Sequence, residues 1–233
     1  MTFAFWGLKS SLFITLNPFP NKFSDKEDPM SNQTLSFNDS KIDAIIRSIE
    51  LPNLVKSKDI YLDLLEVIIS QQLSGKVAKV IYNRFLELFK DKYPEHKNLA
   101  EIDDSILRGA GLSQAKTNYV KNLAAFAMNN DLSVSYLDTL NDNEIIEMLT
   151  KVKGIGNWSV EMILIFSLQR SDIFPYDDLV IKKSMVEVYG IKKEGKELIK
   201  EMIQIAENWR PNRSLASRYL WAHYGTKKVK KIS

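Results

Sequence analysis

Val152-Lys153-Gly154-Ile155-Gly156-Asn157-Trp158-Ser159 is the stretch on which the reading of this chain turns. It lies between one helical apolar pattern ending near Leu149 and another beginning near Asn157, so it reads as a hairpin joining two helices. Gly154 and Gly156 can take backbone angles closed to other residues and let the chain approach a ligand closely, while Ile155 is placed to plug between the helices. Main-chain N–H groups at the start of the second helix, over Asn157 to Ser159, can then hold a phosphate of DNA. A bare Gly-x-Gly would be only a helix–helix turn. The flanking residues favour the phosphate-holding reading, which by itself implies nucleic-acid binding and no chemistry.

Downstream stands Phe174-Pro175-Tyr176-Asp177-Asp178-Leu179, followed by Ile181, Met185 and Val188 at helical spacing. This puts a carboxylate at a helix N-terminus. Asp177 or Asp178 there can be a plain N-cap. With the hairpin upstream, a fixed carboxylate also suits the cleavage of an N-glycosidic bond, where it can stabilise oxocarbenium character on the sugar and orient water. Asp178 is the candidate catalytic residue.

From Asp39 onward the apolar spacing is helical nearly everywhere, and no alternating or β-branched run flanked by turns predicts a strand, so the class is all-α. Ile60 to Ile69 predicts a central buried helix, and Val77, Ile81, Phe85 and Leu88 mark one face of the next. Ser113 is a candidate N-cap for a helix turning Lys116, Tyr119, Leu123 and Phe126 inward, and Asn141 or Asp142 starts another through Met148. Val160, Ile163, Leu164 and Leu168 continue the pattern after the hairpin. Later helices are predicted over 178–189 and 195–208, and a last one follows Pro211.

The 233 residues are 45% hydrophobic, enough for a sizeable core, and Lys+Arg 32 against Asp+Glu 29 gives a net +3 that permits a polyanion partner without requiring one. With no cysteine, thiolate-bound metals, iron–sulfur clusters, disulfides and Cys nucleophiles are excluded. Only His96 and His223 are present, which rules out a multi-histidine metal site and leaves carboxylates as the expected chemical groups. No apolar run reaches the ~20 residues of a membrane span. Residues 3–19 are interrupted by Lys9, Ser10, Ser11, Asn17 and Pro18 and read neither as a membrane helix nor as a secretory signal. A soluble protein is expected, cytoplasmic and nucleoid-associated in a bacterium or nuclear in a eukaryote, and monomeric. Residues 1–35 lack periodicity and are expected to form a disordered extension, with Met30 as an alternative start. The basic tail 227–233, with Lys227, Lys228, Lys230 and Lys231, reads equally as a solvated end or a phosphate contact.

Taken together, the Gly-Ile-Gly hairpin and the Asp-Asp-Leu turn resemble the helix-hairpin-helix DNA glycosylase superfamily, in its 3-methyladenine DNA glycosylase II branch. The resemblance runs over about residues 59–225 and includes Ile68-Ile69-Ser70-Gln71-Gln72-Leu73-Ser74, then Leu107-Arg108-Gly109-Ala110-Gly111-Leu112-Ser113 with Lys116 and Tyr119. It ends with Trp209-Arg210-Pro211-Asn212-Arg213-Ser214 leading to Trp221. It implies a two-lobed helical fold with DNA and the flipped base in a cleft between lobes, one lobe built from 36–58 plus 170–226 and the other from 59–169.

The resemblance further implies Asp178 as the catalytic carboxylate and double-stranded DNA containing alkylated bases as the partner. No cofactor is implied, and no metal is bound by side chains; a monovalent cation is implied on the hairpin's backbone carbonyls. Members that also cut the DNA backbone resemble one another in a Lys two residues after the second hairpin glycine, where this chain has Trp158. Base release without strand cutting is therefore expected. Trp158 and Trp221 match pocket aromatics, with Tyr176 and Met162 beside them in the expected base pocket. An indole face attracts a cationic base such as 3-methyladenine or 7-methylguanine by about 0.5–2 kcal/mol. Met162 stands where some relatives have an aromatic. Gln71, Gln72 and Leu73 are candidates for the wedge that fills the gap left by an extruded base, with the resemblance favouring Gln72 and chemistry equally allowing Leu73. Arg210 and Arg213 either contact phosphates or brace the fold. The competing readings are a non-catalytic DNA-binding protein using the same hairpin and a glycosylase for another damaged or mismatched base.

Overall fold

The computed structural model of the protein describes residues 23–24 and 36–230, so the expectations for an N-terminal extension, for Met30 and for the side chains of the terminal lysines fall outside the described residues. Contacts divide the chain into two compact units. Within the described residues, the hairpin unit spans 56–168, and the split unit combines 23–24 and 36–55 with 169–230.

The split unit opens with β1 (Phe23–Ser24), which pairs antiparallel with β2 (Asn53–Leu54), Phe23 opposite Leu54. This ladder was not expected from the sequence, and two residue pairs are too few to leave a pattern. Helix α1 (Ser40–Ser48) is capped by Asp39, whose carboxylate accepts from the N–H of Lys41 and Ile42.

The hairpin unit is built around α2 (Ile60–Ser70), in which Ile60, Tyr61, Leu64, Leu65, Val67, Ile68 and Ile69 are all buried. Full burial of such a side chain is worth about 1.5–3 kcal/mol, so this helix is the axis of its unit. Helix α3 (Gly75–Leu86) follows, but with a different inward face from the one expected. Val77 is 47% exposed and Leu88 is exposed as well, while Ala78, Tyr82 and Phe85 are buried. Two overlapping apolar stripes were available. The one carrying two aromatic rings removes more surface from water, and Tyr82 also donates its hydroxyl to Leu62 O at 3.3 Å.

Next come α4 (His96–Glu101), α5 (Asp104–Gly109) and α6 (Gln114–Ala127), the last capped by Ser113 as expected, its hydroxyl accepting from the N–H of Lys116. His96 stands edge-on to Tyr61 with ring centroids 4.3 Å apart, a packing role. The buried face of α6 is Thr117, Val120, Leu123, Ala124 and Ala127. Lys116, Tyr119 and Phe126 are half-buried on its flank rather than at its centre. The short α7 (Val134–Leu137) precedes α8 (Asp142–Leu149), where Asn141 and Glu144 form a reciprocal capping box. Helix α9 (Asn157–Met162) continues into a π-helical turn, Ile163–Ser167, whose residues are all buried.

The split unit resumes with α10 (Leu179–Tyr189), α11 (Gly195–Ala206), a 3-10 turn at Glu207–Trp209 and α12 (Arg213–Lys230). The buried Ser184 on α10 donates its hydroxyl to Leu220 O on α12 at 3.1 Å. Asp39 accepts from Tyr189 Oη at 2.7 Å and from Trp209 Nε1 at 3.1 Å, joining α1, α10 and the 3-10 turn. Among the described residues no helix is long and apolar enough to cross a membrane.

Candidate active site and nucleic-acid interface

The hairpin turn carries a glycine whose side chain the fold forbids. Gly154 has φ +107°, and a Cβ built there would lie 2.2 Å from Tyr119 Cγ. Both facts require glycine. Ile155 is buried, as expected of a plug, and its N–H bonds Val152 O at 3.0 Å. Gly156 differs from the expectation. Its φ of −101° and ψ of 174° are ordinary extended values, and a Cβ there would meet nothing within 4 Å. The missing side chain therefore serves nothing inside the protein; it leaves open space in front of α9.

Gly156 is the N-cap of α9 and brings no side-chain oxygen to it. The first-turn N–H groups of Asn157, Trp158 and Ser159 lack intrahelical acceptors by construction and carry the positive end of the helix dipole. Asn157 is exposed, Trp158 half-buried and Ser159 buried.

The turn between α2 and α3 lies beside this hairpin. Gln71 Nε2 donates to Gly154 O at 3.1 Å and to Ser159 Oγ at 3.3 Å, so Gln71 is turned into the protein and not presented as a wedge. Gln72 is exposed with φ +60°, a left-handed conformation rare outside glycine. Leu73 is half-buried. Lys116 Nζ donates to Ile69 O at 2.7 Å, a cation on the last turn of α2. Burial holds the Lys116 ammonium below its ordinary range.

In the split unit, Pro175 O accepts from the N–H of Asp178, and Asp178 then caps α10. Its Oδ1 accepts from Val180 N and Ile181 N, both at 2.8 Å, and from Trp221 Nε1 at 2.9 Å. The capping reading and the catalytic reading of this residue are thus compatible: the cap fixes where the carboxylate stands. Trp221, 6% exposed, reaches Asp178 through its indole N–H, an interaction that the sequence did not disclose. Asp177, the alternative carboxylate, is exposed and pairs with Lys182 at 2.9 Å. Tyr176 is half-buried. Met162, at 1% exposure, is a core side chain of the hairpin unit and not an open wall. It is the last residue of α9, immediately before the wholly buried π-helical run Ile163–Ser167.

Arg210 and Arg213 are braces. Arg213 pairs with Asp172 (Nε to Oδ1 2.8 Å) and donates to Asp172 O at 2.9 Å, while Arg210 pairs with Glu207 at 2.7 Å and with Asp172. Ser214 closes the same loop, accepting from Ile173 N and donating to Arg170 O at 2.6 Å. No group of three or more His, Cys, Asp or Glu side chains that could hold a metal occurs among the described residues.

Comparison with known proteins agrees with this geometry. The profile of the HhH-GPD superfamily base excision DNA repair proteins matches residues 65–211. DNA-3-methyladenine glycosylase 1 of Schizosaccharomyces pombe is 33% identical over 169 residues, covering 72% of this chain and 73% of that protein. A solved structure of the 3-methyladenine DNA glycosylase of that organism, in complex with abasic DNA, superposes with a TM-score of 0.69 at 31% identity, covering 82% of this chain and 92% of that one. DNA-3-methyladenine glycosidase of Bacillus halodurans gives a TM-score of 0.72 at 28% identity, covering 87% and 93%.

Proposed function

This chain belongs to the HhH-GPD superfamily of base excision DNA repair proteins, and from that premise we propose that it hydrolyses the N-glycosidic bond of alkylated purines with Asp178 as its catalytic carboxylate and without cutting the strand. It is a base excision repair glycosylase acting on alkylated bases and it binds DNA. The observation that carries the role of Asp178 is its triple anchoring: Oδ1 is held by two main-chain amides and one indole before any substrate arrives. A carboxylate fixed in this way stabilises developing positive charge without reorganising, where most of the electrostatic gain lies. As the bond from C1′ to the base lengthens, the sugar takes on oxocarbenium character opposite the carboxylate. The base departs with the bonding electrons, the cationic alkylated ring leaving as a neutral purine; water adds at C1′, and its proton passes by way of the Asp178 carboxylate to solvent. An N3- or N7-alkylated purine already carries positive charge, so its leaving is easy and a tolerant pocket can still be selective.

Trp158, where the lyases that the chain resembles carry a lysine, offers an aromatic face to a cationic base, worth about 0.5–2 kcal/mol. The absence of an amine at that position supports simple hydrolysis over Schiff-base chemistry. Tyr176 and Trp221 are the further aromatic candidates, Trp221 with the added task of holding Asp178. Exposed and in a left-handed conformation, Gln72 is the wedge we favour over Leu73.

The test is release of 3-methyladenine and 7-methylguanine from methylated duplex DNA, with strand scission read in the same tubes. Wild type should release both bases and leave the backbone intact. Asp178→Asn should lose on the order of 10²–10³-fold or more in single-turnover excision while still binding DNA. Damage-selective binding with no release by wild type would make the protein a binding module, and scission would make it a lyase.

A further inference from the structure

One flank of α6 faces both the α2–α3 turn and the hairpin. Lys116 holds Ile69 O, Tyr119 packs against Gly154, and Asn122 Nδ2 donates to Lys153 O at 3.4 Å. These residues are spaced by three and lie along one helix face. Across from them, both N–H groups of the Gln71 amide are used, one on the first hairpin glycine and one on Ser159 in the first turn of α9. The residue next to this amide in sequence is Gln72, whose φ of +60° is an arrangement costing an L residue about 1–2 kcal/mol. The Gln71 side chain therefore ties the segment that holds a phosphate to the segment that carries the strained, outward side chain.

We infer that Gln71 is a positioning residue that couples the phosphate-holding hairpin to base extrusion, by fixing the main chain from which Gln72 projects into the duplex. This rests on the glycosylase reading given above. Gln71 acts through its bonds to Gly154 O and Ser159 Oγ and not on the reacting atoms. Its two hydrogen bonds keep the Gln72 backbone in its high-energy conformation when the duplex pushes back, so that closing the base pair again would require breaking them. A single-stranded substrate leaves no gap to fill and makes no such demand.

The experiment compares kcat/KM for 3-methyladenine release from duplex and from single-stranded DNA. Gln71→Met keeps the length of the side chain and removes both donors. Its duplex-to-single-strand ratio should fall about tenfold, the scale of losing one to two hydrogen bonds. Gln72→Ala should lower the same ratio. Ser159→Ala removes one of the two acceptors and should shift the ratio in the same direction by less, which keeps the inference testable if Gln71→Met melts early in a thermal scan. A ratio unchanged from wild type in both Gln71→Met and Ser159→Ala overturns the coupling. Equal losses on the two substrates overturn it too, since they describe a residue that only supports the fold. If wild type releases no base from either substrate, the glycosylase reading itself fails and takes the inference with it, a result distinct from an active enzyme with an unmoved ratio.

Discussion

In the hairpin unit the atoms proposed to meet DNA are main-chain N–H groups, held by a glycine that admits no Cβ and by a neutral side-chain amide. In the split unit the atom of interest is a single carboxylate oxygen, held by two amides and an indole. The first arrangement stores its function mainly in backbone shape and is most readily broken by adding atoms at Gly154. The second stores it in one side chain and is broken by removing them. On the reading proposed above, nucleic-acid grip and bond cleavage have different sensitivities to substitution, and mutation should separate the two.

The strongest challenge to this contrast is Gly154→Ala. The added methyl meets the Tyr119 ring at a sub-contact distance on a backbone with φ +107°, so the variant should lose about 2 kcal/mol or more of stability in urea titration, together with DNA affinity. A variant of wild-type stability would mean that the turn yields easily and that the backbone is not the rigid part. Trp221→Phe probes the other side by deleting one donor to Asp178. Excision should slow by about tenfold, the lower end for a hydrogen bond to a charged group, in kcat more than in KM. A change confined to KM would assign Trp221 to base stacking alone.

Gly156→Ala sharpens the comparison further. Its angles suit alanine and its Cβ would touch nothing, so stability should stay within about 0.5 kcal/mol of wild type, the reduced freedom of the unfolded chain offsetting the poorer cap. Affinity for duplex DNA should nonetheless fall severalfold in a fluorescence-anisotropy titration, because the methyl occupies the approach to the α9 amides. The smallest effect concerns acid. Burial alone would raise the Asp39 carboxyl, but hydrogen bonds from Tyr189, Trp209, Lys41 N and Ile42 N outweigh it and hold it below its ordinary 3.8. A lowered folded-state value contributes stability that is complete above that pH and fades as pH falls through the lower one. The melting advantage of wild type over Asp39→Asn should therefore shrink below about pH 3.8 and be constant above it.

The caps and the hairpin were legible because they are local. Ser113, Asn141 and Asp178 each cap the helix they precede, within a few residues of the atoms they serve. What the sequence hid depends on tertiary choice. Both stripes of α3 have helical period, and only packing selects Tyr82 and Phe85 over Val77. Gln71 and Gln72 are identical in composition and adjacent, yet one is folded inward and the other strained outward, because the partners of the amide are far along the chain. The indole bond to Asp178 likewise spans helices that no periodicity relates. Gly156 was grouped with Gly154 by its spacing, and only the dihedral angles separate a glycine the fold requires from one it merely allows.

Gln72 carries a consequence for how this protein would respond to selection. A left-handed residue is more comfortable as glycine, by about 1 kcal/mol, so variants chosen only for heat resistance should drift towards glycine at this position. The same change would remove the side chain proposed to stand in for the missing base. Thermal robustness and repair of intact duplex therefore pull this single codon in opposite directions, and its identity in any descendant of this chain would record which of the two had been scarce.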